Sequence, residues 1–395
     1  MQLFANKKII LIFGCLTIFF PGAFVFGFPG VMAQEWQTLF GVNKAQIGRS
    51  MFFILAGTGF SMILAGKLLE KIAAHHIIFI GSLLTGGAMF FVGQATCMEQ
   101  VYAWGFIEGF FTGFVYIPCL TIFQRMFWDH KGLATGIFNL TFGGAAALMS
   151  PLFTYLLVLK GYAFTSNFAG AISLFCGTSL AMFVKTPGLA KDQGNQQLPS
   201  LAVKKILTLP SFWFLWGVWA LSGAAGISLI VLSASFGIHL GYGITQSVYI
   251  LTGFNILNGL GRLVCGRLSD QYSKQHILMT IFLMAAGAYF LMPWFSHLYA
   301  ITCLAGFIGI AFGGLFTVSA PLVTEVFGLE NFGMVLGMIF TAYGFFAGFL
   351  GPWLSGMILD MTDSNYTIVF SLFAVFYLIS ALLILKVKKN EVVYE

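Results

Sequence analysis

Charge is what this sequence has least of. Of its 395 residues only 8% are Asp, Glu, Lys or Arg, against 59% hydrophobic residues and a mean hydropathy of +0.92. A soluble domain carries about 25% charged residues, so a water-soluble globular fold is excluded and the solvent for most of the chain is lipid. The sequence also lacks HExxH, GxSxG and GxxxxGK[ST], the patterns of an intramembrane metalloprotease, a serine nucleophile elbow and a phosphate loop. A non-enzyme is therefore expected, and transport driven directly by ATP is disfavoured. The six Cys show no CxxC or metal-ligand spacing and the six His are scattered, so no cofactor or metal is expected.

What is there is length in apolar runs. A bilayer core takes about 20 residues of helix, and twelve such runs begin near residues 9, 46, 77, 101, 133, 164, 211, 246, 277, 298, 332 and 366. The first follows Lys7 and Lys8 as a secretory signal would, but it is too long for a signal h-region and is expected to be a retained helix. The fold class expected is an all-α membrane protein of twelve transmembrane helices in two six-helix bundles. The polar stretch from Thr186 to Lys205, with Pro187, Gly194 and Pro199, suits a flexible tether. It divides the chain into a bundle over 1–185, a linker over 186–208 and a bundle over 209–395. With the N-terminus inside, fifteen of the nineteen Lys and Arg fall on or beside cytoplasmic segments, as the positive-inside rule requires. The net charge of +6 is thus a topology signal, and nucleic-acid binding is not expected. The localisation expected is the cell membrane, multi-pass, with both termini cytoplasmic, and the protein is expected to be a monomer in the lipid bilayer.

The two halves repeat each other. Gly66-Lys67-Leu68-Leu69-Glu70 returns 200 positions later as Gly266-Arg267-Leu268-Ser269-Asp270. Gly109 and Gly113 return as Gly309 and Gly313, Arg125 answers to Glu325, Phe127 to Phe327, and Pro151 to Pro352 with one residue of slip. A fixed long period outranks any single motif. The glycines recur at four-residue spacing, which makes faces for close backbone approach between helices.

Two positions inside the apolar runs carry chemistry. Thr252, Asn255, Asn258 and Arg262 recur at intervals of three, three and four, one polar stripe on an otherwise apolar helix. A centred Arg costs about 2.5–3.5 kcal/mol on insertion scales, so it should face the bundle interior and be paired; the alternative is that Arg262 snorkels to the cytoplasmic surface. In the first reading it is an anion site, because a guanidinium can hold a carboxylate through two parallel bonds. Glu108, the only carboxylate well inside a run, shares a helix face with Thr112 and Tyr116. An intramembrane acid is a functional candidate, and its expected role is proton coupling. The alternative places it in an aqueous vestibule, about 10 Å from the outer helix end.

The repeated phrase resembles the motif G-x-L-[AS]-D-[RK]-x-G-[RK]-[RK] of the major facilitator superfamily. Gly266, Leu268, Ser269, Asp270 and Lys274 match, while in the first copy Gly66, Leu68 and Lys71 match and Glu70 replaces Asp. The resemblance spans essentially the whole chain and implies a transporter working by alternating access, with substrate bound near mid-membrane. A carboxylate beside a helix N-terminus is favoured by the macrodipole. A conformational latch is therefore expected from Gly66, Glu70 with Arg125, Gly266, and Asp270 and Glu325 with Arg267; the other reading is ordinary loop charge. Arg262 followed by Gly266, with Tyr116-Ile117-Pro118 through Arg125 to Gly136, is similar to the monocarboxylate transporters and oxalate:formate antiporters. That resemblance implies that Arg262 holds the substrate carboxylate and that Tyr116 lines the site. It departs at Asn258, where the monocarboxylate transporters carry Asp, and at Tyr343, close to where the oxalate antiporter carries Lys. One intramembrane cation favours a monoanion. The expected function is secondary transport of a small organic anion by proton symport or anion exchange, with Arg262, Asn258, Asn255, Tyr116 and Tyr343 binding substrate. The alternative is a proton-driven exporter of neutral or cationic drugs or metabolites.

Overall fold

The computed structural model describes residues 7–42, 44–184 and 203–388, and every regular element among them is helical. Helices α1 (Lys7–Phe26) and α2 (Phe28–Phe40) form one span interrupted at Gly27. Pro29 opens α2, where a missing backbone donor costs nothing. Then follow α3 (Lys44–Leu68), α4 (Ala74–Val92), α5 (Met98–Met126), α6 (Lys131–Ala181), α7 (Val203–Thr208), α8 (Pro210–His239), α9 (Ile244–Ser269), α10 (Lys274–Leu291) and α11 (Leu298–Phe327). The last three are α12 (Phe332–Thr341), α13 (Gly348–Met361) and α14 (Tyr366–Leu385), with a π-helical turn at Ala342–Ala347 joining α12 to α13.

Eleven stretches among the described residues are long and apolar enough to cross a bilayer, one fewer than the runs counted in the sequence. The difference lies in α6, 51 residues long, where Gly161 takes φ 80° and ψ 178°. That conformation is essentially confined to glycine, so one residue ends the segment 131–160 and begins 162–181 without a loop. The runs expected near 133 and 164 are both present, joined at a glycine corner. The linker expected over 186–208 lies outside the described residues as far as 202, and its end forms α7.

By contacts the chain forms two compact units. The first holds residues 1–128, 137–200 and 329–344, and the second 129–136, 201–328 and 345–395. This grouping moves the start of α6 and the whole of α12 across a division drawn at the linker alone.

Within the first unit α3 and α5 approach through glycine. A Cβ on Gly109 would strike the Ile54 carbonyl, one on Gly113 the Ser61 hydroxyl, and one on Gly57 would lie 2.9 Å from the Phe110 nitrogen. In the second unit α9 and α11 do the same: Gly309 faces the Phe254 carbonyl, Gly313 the Asn258 carbonyl, and a Cβ on Gly253 would lie 2.6 Å from the Thr302 oxygen. The repeated glycines are therefore packing residues, allowing backbones to approach as apolar side chains would not. The first unit's core is aromatic: Phe28 lies 5.4 Å from Trp104 and 5.6 Å from Phe153 by ring centroids, and Trp36 lies 6.0 Å from Trp104. The second has Tyr289 against Phe370, Phe373 and Tyr377, its hydroxyl donating to Ala225 O at 2.6 Å. Large apolar residues such as Leu148, Val158, Phe175, Val264 and Leu382 remain exposed, as suits faces solvated by lipid.

Candidate functional site: a buried arginine, a buried acid and two helix-end clusters

The polar stripe of α9 grades inward. Thr252 and Asn255 are exposed, Asn258 is half-buried and Arg262 is only 4% exposed, so the arginine does not snorkel to the surface. Its Nε donates to Asn258 Oδ1 at 3.1 Å, a bond that the four-residue spacing makes within the helix. The guanidinium carbon sits 5.4 Å from the centroid of the Phe316 ring, a cation–π contact worth up to about 2 kcal/mol when desolvated. Phe316 is held by Trp219, 4.8 Å away and edge-on, and by Phe312, and Trp219 is pinned in turn by donation to Ser319 Oγ at 3.1 Å. Gly313 leaves room for the arm: a Cβ there would lie 2.7 Å from Asn258 Oδ1 and 3.1 Å from Arg262 Cγ. The Asn258 bond fixes the orientation of the guanidinium through Nε, and orientation is what a two-bonded pairing with a carboxylate requires.

In the first unit, Tyr116 is fully buried and donates to Asn139 Oδ1 at 2.6 Å. Its ring packs on Phe138, Phe142 and Phe340. Tyr343 stands on the π turn, 6.3 Å from Phe340 by ring centroids, so Phe340 brings the two sequence-predicted tyrosines into one aromatic neighbourhood. π turns within α-helices occur frequently at functional sites.

Glu108 is fully buried, which removes the vestibule reading. Neither of its carboxyl oxygens has a hydrogen-bond partner among the described residues, nor does Thr112 Oγ1 one turn on or Trp104 Nε1 one turn back. A buried polar atom left without a partner costs about 1–3 kcal/mol, so four on one helix face are well beyond what packing tolerates casually.

The helix-end clusters differ from the pairings expected. Gly66 packs on Gly333, where a Cβ would lie 2.6 Å from the carbonyl oxygen, and Arg125 pairs with Glu330 at 3.4 Å while Glu70 is exposed. Gly266 packs on Gly132, again 2.6 Å from Cβ to oxygen. Asp270 accepts the N–H groups of Gly132 at 2.7 Å and Leu133 at 3.1 Å, so the expected carboxylate at a helix N-terminus is there, on α6. Glu325 pairs with Lys274 at 3.0 Å, and Arg267 is exposed. The expected partners differ, an anion for Arg125, a cation for Glu325 and backbone N–H groups for Asp270, because α5 and α11 end beside residues that no local spacing connects to them. Sequence reasoning also missed Asn139 as the partner of Tyr116 and the π turn under Tyr343. The Arg262–Asn258 bond was findable from spacing alone.

Comparison with known proteins agrees with this architecture. The family model described as Major Facilitator Superfamily matches residues 11–345, with a second match over 239–393. The chain is 26% identical over 298 residues to the oxalate:formate antiporter of Oxalobacter formigenes, covering 72% of this chain and 70% of that protein. It is 24% identical over 372 residues to monocarboxylate transporter 13 of Rattus norvegicus, covering 92% and 85%. An uncharacterized MFS-type transporter of Escherichia coli, YhjX, is 26% identical over 315 residues, covering 76% of each. In fold, the crystal structure of the major facilitator transporter FucP in the outward conformation superposes with a TM-score of 0.75 at 13% identity, covering 98% of this chain and 99% of that one. The chain belongs to the Major Facilitator Superfamily.

Proposed function

We propose that this secondary transporter moves a small monocarboxylate-like organic anion across the membrane by alternating access. The observation that carries the reading is Arg262, buried in a membrane-spanning helix, oriented through Nε by Asn258 and backed by the Phe316 ring. A helix that crosses lipid retains such a cation at a cost, and a guanidinium whose orientation is fixed is preorganised for a carboxylate. Asn258 and Asn255, along the same stripe, serve the substrate's remaining oxygens. Tyr116 and Tyr343 are assigned as substrate contacts in their own right. The relatives named as an oxalate:formate antiporter and as monocarboxylate transporters support an anion over the exporter alternative.

Glu108 is assigned to proton coupling, and the phrases around Gly66 and Gly266 to a latch whose strongest element is Asp270 on the N-terminus of α6. The bundles over 1–185 and 209–395, the cell membrane and cytoplasmic termini complete the proposal. The test is uptake of labelled mono- and dicarboxylates into proteoliposomes by wild type and Arg262→Ala, with and without an inward-acid gradient. One anion taken up by wild type and lost in the variant supports the reading. Transport of none of them by wild type would refute it, and response to the gradient separates symport from exchange.

A further inference from the structure

The proton-coupling reading of Glu108 leaves a physical problem: a fully buried acid must still exchange its proton with water. The neighbours on its own helix face point to the solution. Trp104, Glu108 and Thr112 stand at successive turns of α5, over about 12 Å of helix at 1.5 Å per residue. Each carries buried polar atoms that no described group satisfies: the indole N–H, both carboxyl oxygens and the hydroxyl. An indole N–H only donates, a carboxylate only accepts, and a threonine hydroxyl does both, so the three are complementary. Yet at four-residue spacing they do not bond one another. Water fits that requirement, since one molecule accepts from an indole and donates to a carboxylate, and buried polar groups in native proteins are satisfied in this way.

Of the neutral groups nearby, the Trp36 indole N–H, beside Trp104, also has no partner among the described residues, while the hydroxyls are engaged. From α3, Ser50, Thr58 and Ser61 donate to carbonyls of their own helix. From α6, the Tyr162 hydroxyl approaches the Trp36 indole but donates to Val92 O. The charged groups toward the start of α5 are Glu99, Glu35 and Arg49, of which Glu99 and Arg49 are exposed and Glu35 half-buried. None of these replaces the missing partners of Glu108.

We propose that Trp104 and Thr112 hold a file of ordered water against Glu108, and that this file is the route by which the buried carboxyl exchanges its proton. It rests on the coupling role given to Glu108 above. Trp104 and Thr112 are then positioning residues, acting through water on the group that carries the proton.

The test reads the Glu108 hydrogen directly. Infrared spectra of the protein in lipid identify the Glu108 carboxyl band as the one lost in Glu108→Gln, and its hydrogen–deuterium exchange is timed in wild type, Trp104→Phe and Thr112→Val. These variants keep ring or shape and remove the donor, and thermal unfolding checks that each is folded. The expected result is exchange slowed about tenfold in either variant, the effect of losing one good hydrogen bond, with accumulation driven by a pH gradient falling alongside. Unchanged exchange in both folded variants, or no carboxyl band lost in Glu108→Gln, overturns the proposal. If Glu108→Gln accumulates substrate on a pH gradient as wild type does, the coupling role fails on its own, while the exchange rates still decide the water file.

Discussion

The two copies of the repeated phrase use the same glycine and different carboxylates. Gly66 and Gly266 each lie where a Cβ would meet a glycine carbonyl at 2.6 Å, that of Gly333 in one unit and of Gly132 in the other. Beyond the glycine they part: Asp270 takes two backbone N–H groups at the start of α6, whereas Glu70 is exposed and the ion pair nearby is Arg125 with Glu330. The lesson is that close backbone approach survives duplication because only glycine provides it. The carboxylate is free to diverge, because an exposed ion pair contributes little and an anion on helix N–H groups contributes more.

Breaking the stronger side should have the largest effect. Asp270→Ala removes two charge-assisted bonds and leaves α6 donors uncapped, so it should cost about 3 kcal/mol, read as a fall in thermal stability with increased labelling of cysteines introduced near Gly132. Glu70→Ala should change neither. Gly66→Ala and Gly266→Ala should each cost about 1–3 kcal/mol through backbone displacement, Gly66→Ala the more, since its Cβ would also lie 2.7 Å from Gly333 C and 2.8 Å from Met334 Cα while the next backbone atom at Gly266 is 3.2 Å away; a larger fall in unfolding temperature for Gly266→Ala would contradict that ranking. Smallest are the ion pairs: Lys274→Ala and Glu330→Ala should each cost about 0.5 kcal/mol. The first should have the larger effect, because Lys274–Glu325 is shorter and less exposed than Arg125–Glu330. Salt should weaken both.

The same contrast shows what a sequence displays and what it hides. The twelve runs, the glycine faces and the polar stripe of α9 were legible because lipid forces each helix to satisfy its own backbone, which leaves periodicity on the surface of the sequence. The Arg262–Asn258 bond belongs with them, since it is made within one helix. Arg125 with Glu330 and Asp270 with Gly132 join segments far apart in the chain, and Tyr116 with Asn139 joins two consecutive helices; no spacing rule within one helix reaches such partners. The corner at Gly161 was invisible for another reason: one glycine's φ replaced the polar loop that normally announces a turn. That Glu108 has no partner among the described residues could not be read either, because it is a property of packing.

The central claim is that Arg262 holds the substrate carboxylate, and equilibrium binding of a labelled monocarboxylate to the purified protein tests it most directly. Wild type is compared with Arg262→Lys, which keeps the charge and loses the fork. The account predicts affinity weakened about tenfold or more in Arg262→Lys, with binding lost in Arg262→Ala and both proteins folded. Equal affinity in wild type and Arg262→Ala would contradict it and leave the arginine as a strut between Asn258 and Phe316.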